Sequence, residues 1–385
     1  MSFPQSRQAV SALFLANGFT VGSWAPMIPE FKLRLGVTES GLGLLILAFG
    51  VGSLIAMPLC GAVIAKAGSK KLLLRLSTVL IIVLAALIHA PNVALAALAM
   101  VLAGGMIGGM DVAMNANAVA VERDMHKAMM SSCHGFWSLG GFAGAAFGGW
   151  MIGAYGVEIH VLIATAIIAL LIGFAWHKVM DDSANHTADA KAPKPGLPRK
   201  ALPYLIGAMA LSCMIPEGSV VDWGALYLRQ ELGADVAMSG LAFAAFSGTM
   251  AVMRFLGDGI RNRFGATNTF RVSTLFAGLG LAIAAQANVS EVAILGFAIA
   301  GIGVANLVPI AFSAAGNLPG YAPGVAISVV TFMGYSGILF MPSLIGFVAQ
   351  HTGFAIIFLV LAAVQVAVFL FAGVARHADG ITKTQ

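Results

Sequence analysis

The chain has 385 residues, of which 59% are hydrophobic and only 10% are charged, and its mean hydropathy is +0.92. Because about a quarter of the residues of a soluble domain are charged, this composition excludes a soluble globular protein. The formal net charge of +5 does not indicate a nucleic-acid partner, because the placement of the cations described below accounts for it.

Apolar runs long enough to cross about 30 Å of hydrocarbon recur along the whole chain. They are continuously apolar rather than alternating, which favours helices over a barrel. We therefore predict an all-α membrane protein with twelve transmembrane helices in two six-helix bundles. The predicted spans are 8–29, 41–65, 72–90, 94–120, 134–155, 159–177, 203–228, 238–259, 269–287, 291–315, 323–349 and 354–375.

The positions of the lysines and arginines predict the orientation of the chain in the membrane. If the amino terminus is cytoplasmic, only Lys32, Arg34 and Arg229 fall on the outside and Arg254 falls within a helix, out of 21 Lys and Arg. This bias places both termini in the cytoplasm. The short loops and the lack of an organelle-targeting segment favour a bacterial inner membrane.

The stretch from Lys178 to Lys200 is charged, contains prolines and lacks apolar periodicity. It predicts a cytoplasmic linker over 178–202, between an amino-terminal bundle (1–177) and a carboxy-terminal bundle (203–385). A shift of 197 residues aligns glycines of the two halves, which favours a duplicated unit, as in many secondary transporters. The aligned pairs are Gly36/Gly233, Gly43/Gly240, Gly68/Gly265, Gly104/Gly301, Gly140/Gly337, Gly149/Gly346 and Gly156/Gly353.

Two loops carry a family resemblance. The segment GAVIAKAGSKK (61–71) resembles the loop signature of the major facilitator superfamily, and GDGIRNRFGATN (257–268) is similar to its second copy. Ala65 and Ser69 depart from the acidic and basic residues of that signature. The resemblance implies the superfamily fold and a gating role for these loops. The implied gating residues are Gly61, Lys66, Gly68, Lys70, Asp258, Arg263 and Gly265.

The fourth helix contains the polar stretch GGMDVAMNANAVAVE (108–122). Asp111 and Asn115 are four residues apart and share a face, whereas Asn117 points away from both. Overlapping GxxxG patterns before them predict a closely packed neighbouring helix. A charged carboxylate inside a membrane is costly, which favours proton binding by Asp111. The alternative is a structural hydrogen bond to Asn115 or to nearby backbone.

The pattern acid-x-Ala-x-Asn at 111–115 also resembles the fucose:proton symporter branch of the superfamily. The resemblance implies a proton-coupling role for Asp111 and a substrate contact for Asn115. Ala25 occupies the position of the second coupling acid of that branch, so fucose itself is not carried over.

The seventh helix supplies further acidic candidates. Pro216 and Gly218 are expected to loosen the helix around Glu217, a second candidate for proton coupling. Asp222, nearer the outer end, is a candidate substrate contact. The alternatives are that Glu217 satisfies backbone groups freed at the kink and that Asp222 is an interfacial residue.

Aromatic and amide side chains complete the candidate binding site. Trp24, Trp137 and Trp223 can stack on a sugar or drug ring, or the outer two can belong to an interfacial belt. Asn17 and Asn306 can hydrogen-bond a substrate or tie two helices together. For Arg254, local pairing with Asp258 is the expected arrangement.

The combined prediction is a proton-coupled secondary transporter of a small polar solute, a sugar or sugar derivative. It would work by alternating access as a monomer in membrane lipid, with protons and solute as its partners and no cofactor. A proton-antiporting exporter of drugs or metabolites is the alternative. The fifth helix has Ala145 where antiporters of the superfamily have proline, which counts against the exporter.

An intramembrane enzyme is not favoured. Adjacent Cys133 and His134 project about 100° apart on a helix, so they cannot form a nucleophile and base pair. The spacing of Cys60, Cys133 and Cys213 matches neither a disulfide framework nor a metal site.

Overall fold

The computed structural model describes residues 4–125, 129–183, 200–316, 318 and 325–381. Within these residues every regular element is a helix. Most of the predicted linker, residues 184–199, lies outside the described residues.

The helices group into two sets of six, as the apolar runs predict. The first half contains α1 (Gln5–Trp24, continued by a 3-10 turn Ala25–Met27 and the helix Ile28–Leu35), α2 (Glu39–Ala67), α3 (Lys70–Leu80 and Val83–Ile88), α4 (Val93–Met125), α5 (Met130–Tyr155) and α6 (Val157–Trp176). The second half contains α7 (Leu202–Gln230), α8 (Val236–Phe264), α9 (Ala266–Ala285), α10 (Ser290–Val304 and Leu307–Gly316), α11 (Val325–Thr352) and α12 (Phe354–Leu370, followed by the 3-10 segment Ala372–Ile381).

The lengths of these helices suit a membrane. Among the described residues, seven helices are long and apolar enough to cross it, and α12 with its bent continuation makes an eighth. In α1 the prolines at 26 and 29 begin new helical segments, because proline lacks the backbone N–H that continues a helix. The chain is an all-α integral membrane protein.

The turns between helices repeat with the spacing found in the sequence. The left-handed glycines of the described chain fall into pairs 197 residues apart, each pair with nearly equal φ. Glycine adopts this conformation without the steric cost that other residues meet. The pairs are Gly36 and Gly233 (64° and 67°), Gly68 and Gly265 (75° and 78°), and Gly156 and Gly353 (83° and 82°).

Each half also has an aspartate after its last helix, and these two aspartates are 197 residues apart. Asp182 accepts hydrogen bonds from the backbone N–H of Ser69 at 2.8 and 3.0 Å. Asp379, 197 residues later, accepts the N–H of Ala266 at 3.0 Å with both oxygens. Each carboxylate satisfies a donor at a helix start and complements its positive end. The end of each half is thereby bound to the start of its own third helix.

Within the first half, glycines bring α2 and α4 into backbone contact. A Cβ atom added at Gly104 would lie 1.8 Å from the carbonyl oxygen of Phe49, and one added at Gly52 would lie 1.9 Å from that of Val101. Neither position can accept a side chain at this separation. The close approach agrees with the GxxxG pattern of α4.

The two halves meet along two interfaces, and the 197-residue repeat relates one interface to the other. Gly240 of α8 packs on Gly149 of α5, where an added Cβ would lie 2.7 Å from the Gly149 Cα. Gly43 of α2 packs on α11, where an added Cβ would lie 3.1 Å from the Pro342 carbonyl oxygen. Shifting Gly43 by 197 residues gives Gly240, so the same position of the repeat forms both contacts.

We expect Asp182→Ala to lower the unfolding temperature of the purified protein. It removes the acceptor at the start of α3, and loss of such a cap costs about 0.5–2 kcal/mol. The matched control is the exposed neighbour Asp181→Ala, for which the shift should be smaller. Tryptophan-fluorescence melting in detergent measures both. Equal shifts for the two variants would contradict the capping role.

Candidate functional site between the two halves

The paired polar residues of α4 are bonded to each other. The Asn115 side-chain amide donates to the Asp111 backbone oxygen at 2.9 Å and to its carboxylate Oδ1 at 3.2 Å. Both side chains are half-buried. This is the local pairing named as the structural alternative, and it fixes the direction of the carboxylate. The proton-coupling role of Asp111 and the substrate contact of Asn115 stay predictions.

Asn117, on another face of α4, has a different partner. It is fully buried and donates to Ser69 Oγ at 2.9 Å and to the Met180 carbonyl oxygen at 3.0 Å. Ser69, which departs from the family loop signature, is thus held by α4 while its backbone N–H is held by Asp182. Hydrogen bonds therefore fix the loop before α3 from both sides.

An intramembrane ion pair connects three helices. Arg254 of α8 lies 3.3 Å from Glu217 Oε2 of α7, and the two side chains are 13% and 20% exposed. The same guanidinium donates to Ser138 Oγ of α5 at 2.6 Å. Nearby, Ser247 of α8 donates to the Ser138 carbonyl oxygen at 2.7 Å. Arg254 therefore bridges a carboxylate in its own half and a hydroxyl in the other half.

The bridge adds two partners to Arg254, while its expected pairing with Asp258 stays a prediction. Glu217 is 37 residues away and Ser138 is 116 residues away in the chain, so helical spacing could not reveal either partner. The side chain of Asp258 lies outside the described part of the chain.

The helix around Glu217 is not loosened, contrary to the sequence-based expectation. α7 is a single helix with Pro216 inside it. Proline leaves the carbonyl of Ser212 without its helical donor, and the buried Gln365 of α12 donates to that oxygen at 2.9 Å. The freed backbone group is satisfied by Gln365, not by Glu217.

Two residues beyond Pro216, α7 borders open space. A Cβ atom added at Gly218 would meet no heavy atom within 4 Å. Asp222, four residues on and therefore on the same face, is half-buried. Within the described residues it forms no hydrogen bond or ion pair. A half-buried carboxylate beside open space is available to a solute or a proton.

The two amide candidates are both buried. Asn17 accepts a hydrogen bond from Trp137 Nε1 at 2.9 Å, which ties α1 to α5. Asn306 lies at the break between the two parts of α10, with its Oδ1 against Gly257, where an added Cβ would be 2.1 Å away. The Nδ2 atoms of both asparagines have no partner among the described residues. Each therefore keeps a buried amide nitrogen whose donors are unused among the described residues.

The two remaining tryptophans pack on aromatic neighbours. Trp223 is 1% exposed, and its ring centroid is 5.5 Å from that of Phe354. Trp24 meets Phe31 edge to face at 5.1 Å. The structure places Trp223 in the core of the second half and does not bring either ring to the Arg254 bridge.

The residues of the two signature loops have separate environments. Gly68 and Gly265 form left-handed turns, Gly61 faces open space, and Arg263 lies 5.5 Å over the Phe264 ring. Lys70 donates its backbone N–H to Asp182 at 3.3 Å and places its Nζ 3.9 Å from Asp181.

The side chains of Lys66 and Asp258 lie outside the described residues. The sequence-based set missed Arg261, which binds Ser313 Oγ at 3.0 Å and the Ala378 carbonyl.

Polar contacts join the halves at the face opposite the termini, which we call the far face. They connect the ends of α1, α2, α7 and α11, and sequence spacing gave no signal for them. The contacts are Arg229 with Glu30 (2.6 Å), Gln230 with Glu39 (3.1 Å) and Ser40 with Gln350 (2.5 Å). The structure therefore represents a conformation in which the halves touch at the far face.

Comparison with known proteins identifies the family. The chain matches the Major Facilitator Superfamily over residues 10–216 and 205–383. It is 34% identical over 347 residues to an uncharacterised MFS-type transporter of Yersinia pestis, covering 90% of this chain and 89% of that protein. It is 29% identical over 363 residues to the membrane protein MosC of Rhizobium meliloti, covering 93% and 88%.

Solved structures share the fold at low sequence identity. A mutant of the nucleoside transporter NupG superposes with a TM-score of 0.75 at 13% identity, covering 96% of this chain and 99% of that one. A mutant of the Escherichia coli fucose:proton symporter FucP superposes with a TM-score of 0.61 at 16% identity, covering 95% and 97%. The chain belongs to the Major Facilitator Superfamily of transporters, which confirms the family that its loops resemble.

We expect Gln365→Leu to destabilise the protein without touching the candidate site. The Ser212 carbonyl would lose its donor inside the membrane, which costs about 1–3 kcal/mol. Gln286→Leu serves as the control, because Gln286 is exposed and bonds only within its own helix end. The readout is the unfolding temperature in detergent. An unchanged temperature for Gln365→Leu would show that water or another donor replaces the amide.

Proposed function

We propose that this transporter couples the movement of protons to that of a small polar solute, a sugar or sugar derivative, by alternating access. The observation that carries the proposal is the Arg254 bridge, which links Glu217 in one half to Ser138 in the other inside the membrane. As part of the same proposal, the protein works as a monomer in a bacterial inner membrane with both termini in the cytoplasm.

The bridge supplies a physical route from proton binding to movement. While Glu217 is charged, it holds Arg254 by electrostatic attraction, which is strong where water is scarce. Protonation of Glu217 removes that attraction and changes the balance of contacts that Arg254 makes across the α5–α8 interface. Separation of α5 from α8 must break the Arg254–Ser138 bond. Proton binding and the relative position of the halves therefore depend on each other.

Asp111 is the second proposed proton-binding group. It lies within the α4 span, where acidic residues mark ion and proton pathways by default. Its amide partner Asn115 can hydrogen-bond the carboxylate through Nδ2 while its own oxygen is available to a solute hydroxyl. Proton release and solute binding then involve neighbouring atoms.

The donors and rings of the candidate site support the proposed solute class. Asn17 has a spare amide donor beside the Trp137 ring, and Asp222 offers an acceptor next to open space. A sugar combines hydroxyls for such groups with an apolar face that packs on an aromatic ring. Two of the solved neighbours are named as a nucleoside transporter and a fucose:proton symporter, which favours the same solute class.

The glycines of α5 do not favour the exporter alternative. Gly140 and Gly144 pack on the α1 backbone, and Gly149 packs on Gly240 of α8. Helix packing therefore accounts for them without an antiporter role.

Transport by purified protein in liposomes with a trapped pH dye tests the proposal. Sugars, amino sugars, nucleosides and cationic drugs are added one at a time. We expect one of the hydroxyl-rich solutes to drive proton movement in the wild type. Asp111→Asn and Glu217→Gln should reduce that movement by more than about tenfold, the factor that corresponds to ~1.4 kcal/mol.

The control variant is Glu291→Gln, which removes an exposed carboxylate at the start of α10 and should transport like the wild type. Solute counterflow without a pH gradient, together with size-exclusion profiles, separates lost coupling from lost folding. If both variants fold and still move protons at the wild-type rate, neither carboxylate couples protons. If only cationic drugs drive proton movement, the exporter alternative replaces the sugar.

A further inference from the structure

A groove on the outer surface of the first half combines cations with an apolar floor. It lies between α3 and the end of α6 and has a volume of about 490 Å³. Its lining residues are Lys71, Leu74, Arg75, Thr78, Val79 and Trp176. Lys71 and Arg75 are one helical turn apart, so their side chains project from the same face of α3.

The two cations are available to a ligand. Both are exposed, and within the described residues neither forms an ion pair or a side-chain hydrogen bond. Of the acidic residues nearby, Asp182 caps α3, and Asp181 pairs with Lys70 at 3.9 Å. Hydrogen bonds from Ser183 lower the pKa of the exposed Asp181, and the charges of Lys70 and Lys71 lower it further, although Lys71 forms no ion pair with it. Among the residues that the structure describes, no acidic side chain lines the groove.

Trp176 and the direction of α3 indicate the depth of the groove in the membrane. Trp176 is the last residue of α6, and tryptophan is enriched at the membrane–water interface. From Lys71, α3 runs into the membrane past Leu74 and Val79, both of which line the groove. The cations therefore lie at headgroup level, with the apolar part of the groove towards the acyl chains.

The fold does not require these residues. The matching positions of the second half, 197 residues later, are Asn268, Val272 and Gly373. The repeat thus keeps the turns on either side of the third helix but lacks this pair of cations and its tryptophan. A local role, not the architecture, accounts for the difference.

We propose that this groove binds one anionic phospholipid. The headgroup phosphate lies between Lys71 and Arg75, where charge-assisted hydrogen bonds hold it. One acyl chain follows Leu74 and Val79, and Trp176 covers the glycerol region. This binding joins α3 to α6 from the lipid side, and it does not depend on which solute the protein transports.

Native mass spectrometry of the full-length protein in neutral detergent tests the lipid site. The probes are phosphatidylglycerol, phosphatidylcholine with the same acyl chains, and free glycerol phosphate. We expect one phosphatidylglycerol to remain bound at collision energies that strip phosphatidylcholine, and no binding of glycerol phosphate. Lys71→Gln/Arg75→Gln should weaken phosphatidylglycerol binding about 30-fold, the effect expected for two basic residues at an anionic headgroup.

Two further variants make the result specific. Arg271→Gln/Arg376→Gln removes the same charge from exposed positions of the second half and should bind phosphatidylglycerol like the wild type. Lys71→Arg/Arg75→Lys keeps both charges and should also retain binding. The proposal is overturned if phosphatidylcholine binds the wild type equally well, if Lys71→Gln/Arg75→Gln keeps wild-type affinity, or if both glutamine pairs weaken binding alike.

Discussion

A polar group enclosed by lipid must find its partner within the protein, and this constraint governs the interior of the molecule. The Ser212 carbonyl, freed by Pro216, is bonded by Gln365 from another helix, so α7 continues without unwinding. Buried hydroxyls such as Thr20 bond back to the preceding turn of their own helix. The Arg254–Glu217 pair meets the same requirement for charges. Arg254 contacts residues of both halves, so the need to pair polar groups also connects the two bundles.

Sequence reasoning reached the architecture because its signals are local and repeated. Apolar runs predict the spans, and the 197-residue glycine register predicts a duplicated unit, whose spacing returns in left-handed glycine pairs such as Gly68 and Gly265. The Asp111–Asn115 bond was also within reach, since four residues make one helical turn. Each of these signals can be read within one helix or one turn.

The rest of the candidate site depends on contacts between distant parts of the chain. Ser138 and Arg254 are 116 residues apart, and Ser212 and Gln365 are 153 residues apart. No spacing rule connects such positions. The expectation that α7 is loosened was wrong, since α7 is a single helix and the carbonyl that Pro216 leaves without a helical donor receives a replacement hydrogen bond. That replacement comes from α12.

The duplication is retained in the turns but not in the chemistry. Moved by 197 residues, Asp111, Asn115, Glu217 and Arg254 correspond to Val308, Phe312, Thr20 and Met57. The two copies of the repeat therefore differ at these positions, while their turns are alike. The first half carries Asp111 where the second has Val308, and the second half carries Glu217 and Arg254 where the first has Thr20 and Met57. The charges therefore occupy different positions in the two halves, so the two flanks of the interior differ in chemistry, which an exact twofold repeat would not allow.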